Sequence, residues 1–157
     1  MKIGQGFDAH RLTEGNEIIL GGVTIPHNKS IEAHSDGDVL LHAICDALLG
    51  AVGLGDIGVH FSDQDEANKN RNSREFITHT SEILKAHGLS VGNIDATIIL
   101  QTPKISAYIQ QMRENIATDL AVTLNQVNIK ATTTEHMGFV GREEGIAAMV
   151  VVLLNDK

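Results

Sequence analysis

Ile94-Asp95-Ala96-Thr97-Ile98-Ile99-Leu100 and Val127-Asn128-Ile129-Lys130-Ala131-Thr132 are the two runs on which the fold turns. The first is a dense β-branched run that reads as a buried strand. The second alternates apolar and polar residues with the two-residue period of a strand. Between them Pro103 marks a loop, and Ile105, Tyr108, Ile109, Met112, Ile116 and Leu120 fall on one helical stripe.

Working towards the N-terminus, Ser73 opens a helix with Phe76, Ile77, Ile83 and Leu84 turned inward and Gly88 as its stop. Before it, residues 53–65 are too irregular for a helix and too long for a tight turn, and 64–72 are polar; this is read as a functional loop. Ser35 or Asp36 can cap a helix running to about Gly50. Ile18 to Ile25 reads as a hairpin closed by Gly21-Gly22, and Lys2 to Arg11 as a first strand. Ile146 to Leu154 closes the sheet. The order predicts an α+β (mixed α/β) fold: a single domain over residues 1–157, with a mixed β-sheet and helices packed on one face. The other face needs a cover, for which a second subunit is the expectation.

The 157 residues, 42% apolar and 20% charged, suit one soluble domain, expected to reduce about 24,500 Å² of unfolded surface to about 7,700 Å². The formal charge of −8, without a Lys/Arg block, argues against nucleic acid and anionic lipid as partners. No run approaches the length of a membrane helix, and Met1 leads directly into a strand-like segment, so a cytoplasmic protein is expected. The single Cys45 excludes an intramolecular disulfide and reads as a buried thiol. Five of the eight histidines, at 10, 27, 34, 42 and 60, are crowded into the first part of the chain. Metal or acid/base chemistry is the natural suspicion.

Asp8 and His10 point to one side of a strand and can share a cation; His42, on a helix, can be a third ligand, leaving an open fourth position. A solvated helix histidine is an equal reading of His42 on spacing alone. His34-Ser35-Asp36-Gly37-Asp38 offers a histidine, a hydroxyl and exposed amides at a helix start, which suits either an anion site or a plain N-cap. Thr132-Thr133-Thr134-Glu135 ends a strand in hydroxyls and a carboxylate, groups that suit phosphate and hydrated Mg²⁺ or Mn²⁺. Thr102-Pro103-Lys104 adds a loop cation. Asp56-Ile57-Gly58 and Phe61-Ser62-Asp63 can hydrogen-bond sugar hydroxyls. Together these residues suggest a metal-assisted reaction of a phosphorylated small molecule.

Their order is recognisable. Gly6-Phe7-Asp8-Ala9-His10, Gly21-Gly22-Val23, Ala33-His34-Ser35-Asp36-Gly37-Asp38, His42-Ala43, Asp46 to Ala51, Gly55-Asp56-Ile57-Gly58, Lys130 to Glu135, Gly138-Phe139 and Gly141-Arg142 make the chain resemble the 2-C-methyl-D-erythritol 2,4-cyclodiphosphate synthase family over essentially its whole length. The resemblance implies a phosphorus–oxygen lyase of non-mevalonate isoprenoid biosynthesis. Its reaction cyclises 4-diphosphocytidyl-2-C-methyl-D-erythritol 2-phosphate by attack of the 2-phosphate on the β-phosphorus, with release of CMP.

Carried over by residue, the resemblance makes Asp8, His10 and His42 zinc ligands and gives Glu135 a Mg²⁺ or Mn²⁺. His34 and Thr133 become the transition-state stabilisers, with Ser35 beside His34. Asp56, Ile57, Gly58, Phe61, Ser62, Asp63, Gln64 and Asp65 would hold the methylerythritol part. Leu100, Gln101, Thr102, Pro103, Lys104, Ile105 and Ser106 would form the cytidine pocket, with Thr132 and Lys104 near its phosphates, and Thr133, Thr134 and Glu135 would also bind substrate. The family is a homotrimer with sites between subunits, and Phe139 and Arg142 match an axial cavity that can hold an isoprenoid diphosphate. Gln5, Ala9, Ser62 and Glu143 depart from the family's His, Val, Pro and Gly. The expectations are a more mobile substrate loop from Ser62 and, from the added carboxylate of Glu143 beside Arg142, weaker anion binding in the axial cavity. The rival readings are a zinc phosphohydrolase and a non-catalytic trimer binding nucleotides or isoprenoid diphosphates.

Overall fold

In the computed structural model, which describes residues 1–62 and 64–156, a five-stranded sheet has the order β4-β1-β7-β5-β6. The strands are β1 (Lys2–Glu14), β4 (Lys29–Ile31), β5 (Leu89–Ile99), β6 (Val127–Thr132) and β7 (Gly145–Asp156). β5 and β6 run parallel; the β4–β1, β1–β7 and β7–β5 pairs are antiparallel. The sheet is therefore mixed, as expected. α4 (Ile109–Leu120) makes the crossover between the parallel pair, burying Met112, Ile116 and Leu120.

The hairpin forms a small sheet of its own from β2 (Glu17–Leu20) and β3 (Val23–Pro26). Gly21 and Gly22 make its turn at φ +57° and +71°, a conformation that matches the twist of the flanking strands and that glycine adopts without strain. Both glycine amides donate to Asp38, to Oδ1 at 3.0 Å and Oδ2 at 2.7 Å. The same carboxylate caps α1 (Val39–Ala51) through the Leu41 amide at 3.1 Å. Asp38, rather than Ser35 or Asp36, is thus the N-cap, and it ties the hairpin tip to the helix.

α1 lies directly on β1. A Cβ at Gly4 would come within 1.8 Å of the Ala47 carbonyl oxygen, and one at Gly6 within 1.9 Å of that of Ala43. Side-chain-free positions on the strand let the helix settle on the backbone itself. α3 (Ser73–Ala86) packs beside α1, so the helices share one face and enclose Ile44, Leu48, Ile77, Ile98 and Val152. The opposite face leaves large apolar side chains in the open: Ile3 is 71% exposed, Phe7 51%, Met149 48% and Val151 51%.

Several elements extend beyond their expected limits. β1 reaches Glu14 because β4, a short strand missed in the sequence, pairs with it through Leu12–Ile31. β5 starts at Leu89, and a bulge between Val91 and Asn93 absorbs Gly92. The irregular stretches contain two four-residue helices, α2 (Ile57–His60) and α5 (Gly138–Gly141). Residues 105–108 precede α4 instead of beginning it. No helix of the described residues is long and apolar enough to cross a membrane.

Candidate functional site

The even residues of β1 follow one face. Gly4 and Gly6 take the helix, and Asp8 and His10 emerge where that contact ends. From α1, His42 meets them. Asp8 Oδ2 lies 3.0 Å from His10 Nε2 and 3.2 Å from His42 Nδ1, and the two nitrogens are 3.1 Å apart. Three donor atoms therefore form a nearly equilateral triangle. Ligands of a tetrahedral cation with bonds of ~2.0–2.1 Å stand ~3.3 Å apart, so an N₂O set of this size fits zinc with one position left open. This is the one such cluster among the described residues.

Burial would raise the pKa of Asp8, but hydrogen bonds and charge interactions with His10 and His42 outweigh it and hold the carboxyl well below the usual carboxylate range. On its far side, the His42 ring offers Nε2 to Ser73 Oγ at 2.8 Å and to Ser35 Oγ at 3.2 Å.

The triangle forms one wall of a cleft of about 440 Å³. His34, Ser35, Ile57, Gly58 and Phe61 line it together with Asp8, His10 and His42, as the sequence suggested. Asp56 caps α2, accepting from the Val59 amide at 3.1 Å, and Asp46 accepts from the Ile57 amide at 2.8 Å. Asp46 stands one turn after His42, so α1 positions both this histidine and the start of α2. Burial pushes the Asp46 pKa upward. Phe61 packs on Phe76 with centroids 4.6 Å apart, and the Arg71 guanidinium covers both rings. The Ser62 carbonyl accepts from Asn68 Nδ2 at 2.8 Å, and its hydroxyl from the Gln64 amide at 3.1 Å; the Asp65 carboxylate accepts from the Ala67 amide at 2.9 Å. Asp63 lies outside the described residues. Ala33, Asn68 and Phe76 also line the cleft, and sequence reading missed them as site residues. Phe76 was read only as an inward helix residue.

A second cleft, of about 370 Å³, has a separate lining: Leu100, Gln101, Pro103, Lys104, Ile105, Ser106, Thr132 and Thr133, with Ile109 and Ala131. Its residues come from the ends of β5 and β6 and the loop leading to α4, so the predicted nucleotide segment does form a concave surface. Thr102, whose peptide bond to Pro103 is cis, is not among the lining residues. Glu135 stands just beyond β6 at φ +53°, exposed, its amide bonded to Thr133 Oγ1 at 3.2 Å. It does not join the Asp8 cluster. Thr134 Oγ1 is turned away to the Met137 carbonyl at 2.6 Å.

Phe139 lines a third depression with Ala9, His10, Arg11, Glu144 and Gly145, and Arg142 is not part of that lining. The carboxylate beside Arg142 is Glu144, 2.8 Å from both Nε and Nη2. The guanidinium is thus paired by Glu144 and not by Glu143. Glu143 instead turns towards Lys29, whose ammonium donates to the Glu143 carbonyl at 2.8 Å and stands 3.9 Å from its carboxylate. The cause is backbone conformation: Glu143 has φ +57°, the left-handed turn for which glycine is the usual choice.

Known proteins can be set beside this geometry. A 2-C-methyl-D-erythritol 2,4-cyclodiphosphate synthase of Ectopseudomonas mendocina is 60% identical over 154 residues, 98% of either chain. Among solved structures, the bifunctional IspDF of Campylobacter jejuni aligns with a TM-score of 0.95 and 42% identity; the match covers 99% of this chain and 42% of that longer one. IspF of Plasmodium falciparum, solved as a CDP complex, aligns at 0.88 with 34% identity over 99% of this chain and 96% of its own. The model of the YgbB family matches residues 1–155, and the chain belongs to that family.

Proposed function

We propose that the chain catalyses the metal-dependent cyclisation of 4-diphosphocytidyl-2-C-methyl-D-erythritol 2-phosphate to 2-C-methyl-D-erythritol 2,4-cyclodiphosphate and CMP, as a phosphorus–oxygen lyase of non-mevalonate isoprenoid biosynthesis. The observation that carries this reading is the convergence of Asp8, His10 and His42 to 3.0–3.2 Å on the wall of a cleft that also presents His34, Ser35 and Gly58. The names of these relatives, one of them 60% identical over 98% of either chain, support the same substrate.

An oxygen of the 2-phosphate forms a new bond to the β-phosphorus, and the bond from that phosphorus to the bridging oxygen of CMP breaks, its electron pair leaving with CMP. Nucleophile and target belong to one molecule, so the protein's task is to fold a flexible polyanion and neutralise it. Asp8, His10 and His42 would hold Zn²⁺, and Glu135 Mg²⁺ or Mn²⁺. Such cations supply Lewis-acid polarisation and charge neutralisation at phosphoryl oxygens. His34 and Thr133 would donate hydrogen bonds to phosphate oxygens, assisted by Ser35. Asp56 and Gly58 would orient the methylerythritol hydroxyls. Lys104 and Thr132 would face the phosphates of a cytidine seated between Leu100 and Ser106.

Two clefts with no lining residue in common, and an apolar sheet face left open, support a homotrimer whose sites lie between adjacent subunits. Phe139 and Arg142 would then approach a shared axial cavity, with an isoprenoid diphosphate as candidate ligand. Cytoplasmic location belongs to the same proposal.

³¹P NMR of the protein with Zn²⁺, Mg²⁺ and the cytidyl diphosphate substrate tests it. The expected result is CMP with a pair of coupled cyclic-diphosphate signals, lost in His42→Ala. Two open-chain phosphates would instead identify a hydrolase, and unchanged substrate a binding protein.

A further inference from the structure

The inner side of His42 is as strictly arranged as the outer. Ser73, fully buried as the first residue of α3, places its hydroxyl 2.8 Å from His42 Nε2 and also hydrogen-bonds Asp36 Oδ1. Asp36 is fixed in turn: its Oδ2 accepts from the Ser73 amide at 2.9 Å, and its Oδ1 from the Asp38 amide at 3.1 Å. These contacts determine the direction of the protons. An ionised carboxylate can only accept, so the Ser73 hydroxyl hydrogen goes to Asp36. The lone pairs left on Ser73 Oγ face His42 and require a donor there. A proton on Nε2 meets that need, and once a cation displaces any proton that Nδ1 shares with Asp8, Nδ1 is left to offer its lone pair.

We infer that Asp36 and Ser73 are positioning residues for His42: an aspartate–serine–histidine relay locks the Nε2–H tautomer and the ring orientation, presenting Nδ1 to a divalent cation. The relay joins the starts of two helices, since Asp36 precedes α1 and Ser73 begins α3. Metal affinity is thereby coupled to the packing of α3 on α1. Ser35 Oγ, 3.2 Å from the same nitrogen, is a second acceptor for that hydrogen and not a replacement for Ser73: it receives the Gly37 amide at 3.3 Å and has no carboxylate behind it. Partners of this kind around metal-bound histidines hold the ring in its ligating geometry and raise its basicity.

The inference rests on the metal reading of Asp8, His10 and His42, and the experiment separates the two. Zinc affinity is measured by competition with a chromophoric chelator for the parent, Ser73→Ala and Ser73→Thr, with the thermal melting of each metal-free protein as a control for folding. The expected result is an affinity about 10- to 100-fold weaker in Ser73→Ala, with Ser73→Thr, which keeps the hydroxyl, closer to the parent. No zinc binding by the parent would overturn the metal reading itself. Parent-like binding by a folded Ser73→Ala would overturn the relay alone. Where Ser73→Ala fails to fold, ¹⁵N-histidine NMR of the zinc-loaded parent decides. A slowly exchanging His42 Nε2 proton, held by an acceptor, supports the relay, and one that exchanges freely with solvent overturns it.

Discussion

Gly6 lies so close beneath Ala43 that a Cβ on it would stand 1.9 Å from the Ala43 carbonyl oxygen. The neighbouring helix residue is His42, and two positions along the strand is Asp8. Gly6→Ala must therefore push α1 away from β1 at the point where the metal triangle is assembled. The expected cost is about 1–3 kcal/mol, the usual range for overpacking. The 3.2 Å approach of His42 Nδ1 to Asp8 should open at the same time, with zinc affinity falling at least about tenfold. Denaturant unfolding and chelator competition measure the two effects; unchanged affinity in a destabilised variant would show that the triangle tolerates movement of the helix.

Asp38 is buried and accepts from three backbone amides. Burial is the larger effect and pushes its pKa up to about 6, against the lowering by those amides. The folded value exceeds the unfolded one, so the stabilisation from this proton is complete below about pH 4 and is lost as pH rises to about 6, a span of about 3 kcal/mol. Asp38→Asn cannot titrate, and its NH₂ would confront an amide donor of the hairpin. The parent's stability relative to this variant should shrink by about that amount between pH 4 and pH 6 in urea titrations. A difference that does not vary with pH would mean that Asp38 ionises normally.

The site was legible in the sequence to the extent that it obeys local rules. Period two put Asp8 and His10 on one side of a strand, and helical spacing put His42 and Asp46 on one face of α1. The resemblance of ordered motifs then joined segments that periodicity leaves separate. The relay behind His42 was not legible, because Ser73 lies 31 residues from its partner and looks locally like any helix start. β4 was missed for a related reason: three residues carry little periodicity, and only pairing with β1 makes them a strand. The Arg142 pairing was not legible, because sequence proximity does not reveal that Glu143 adopts a left-handed turn and leaves Glu144 to meet the guanidinium.

That turn leads to a stabilising substitution. A non-glycine residue in the left-handed region costs about 1–2 kcal/mol. Glu143→Gly removes the cost and retains the Lys29 contact to the main-chain carbonyl, losing only an ion pair at 3.9 Å worth about 0–1 kcal/mol. Calorimetry should show Tm rising by about 2–4 °C for each kcal/mol gained. A lower Tm would assign the Lys29–Glu143 pair more weight than its length suggests.

Phe7 and Met149 are opposed in register on β1 and β7, and Val151 faces Gln5 two pairs further along; all three hydrophobic side chains are about half exposed. Apolar side chains in adjacent rows of a sheet form a contiguous patch of the kind associated with protein contacts. In the trimer proposed above this face is covered, and Met149→Lys would place an unpaired ammonium within it. The lysine costs little in the free chain because position 149 is open to solvent, but it should prevent assembly. Size-exclusion chromatography with light scattering should find a trimer for the parent and a folded 16.9 kDa species for the variant, with activity lost wherever adjacent subunits complete the site. A variant that remains trimeric would move the interface to another surface. A parent that is monomeric and fully active would remove the need for a shared site, and the two clefts would then have to serve one substrate within a single chain.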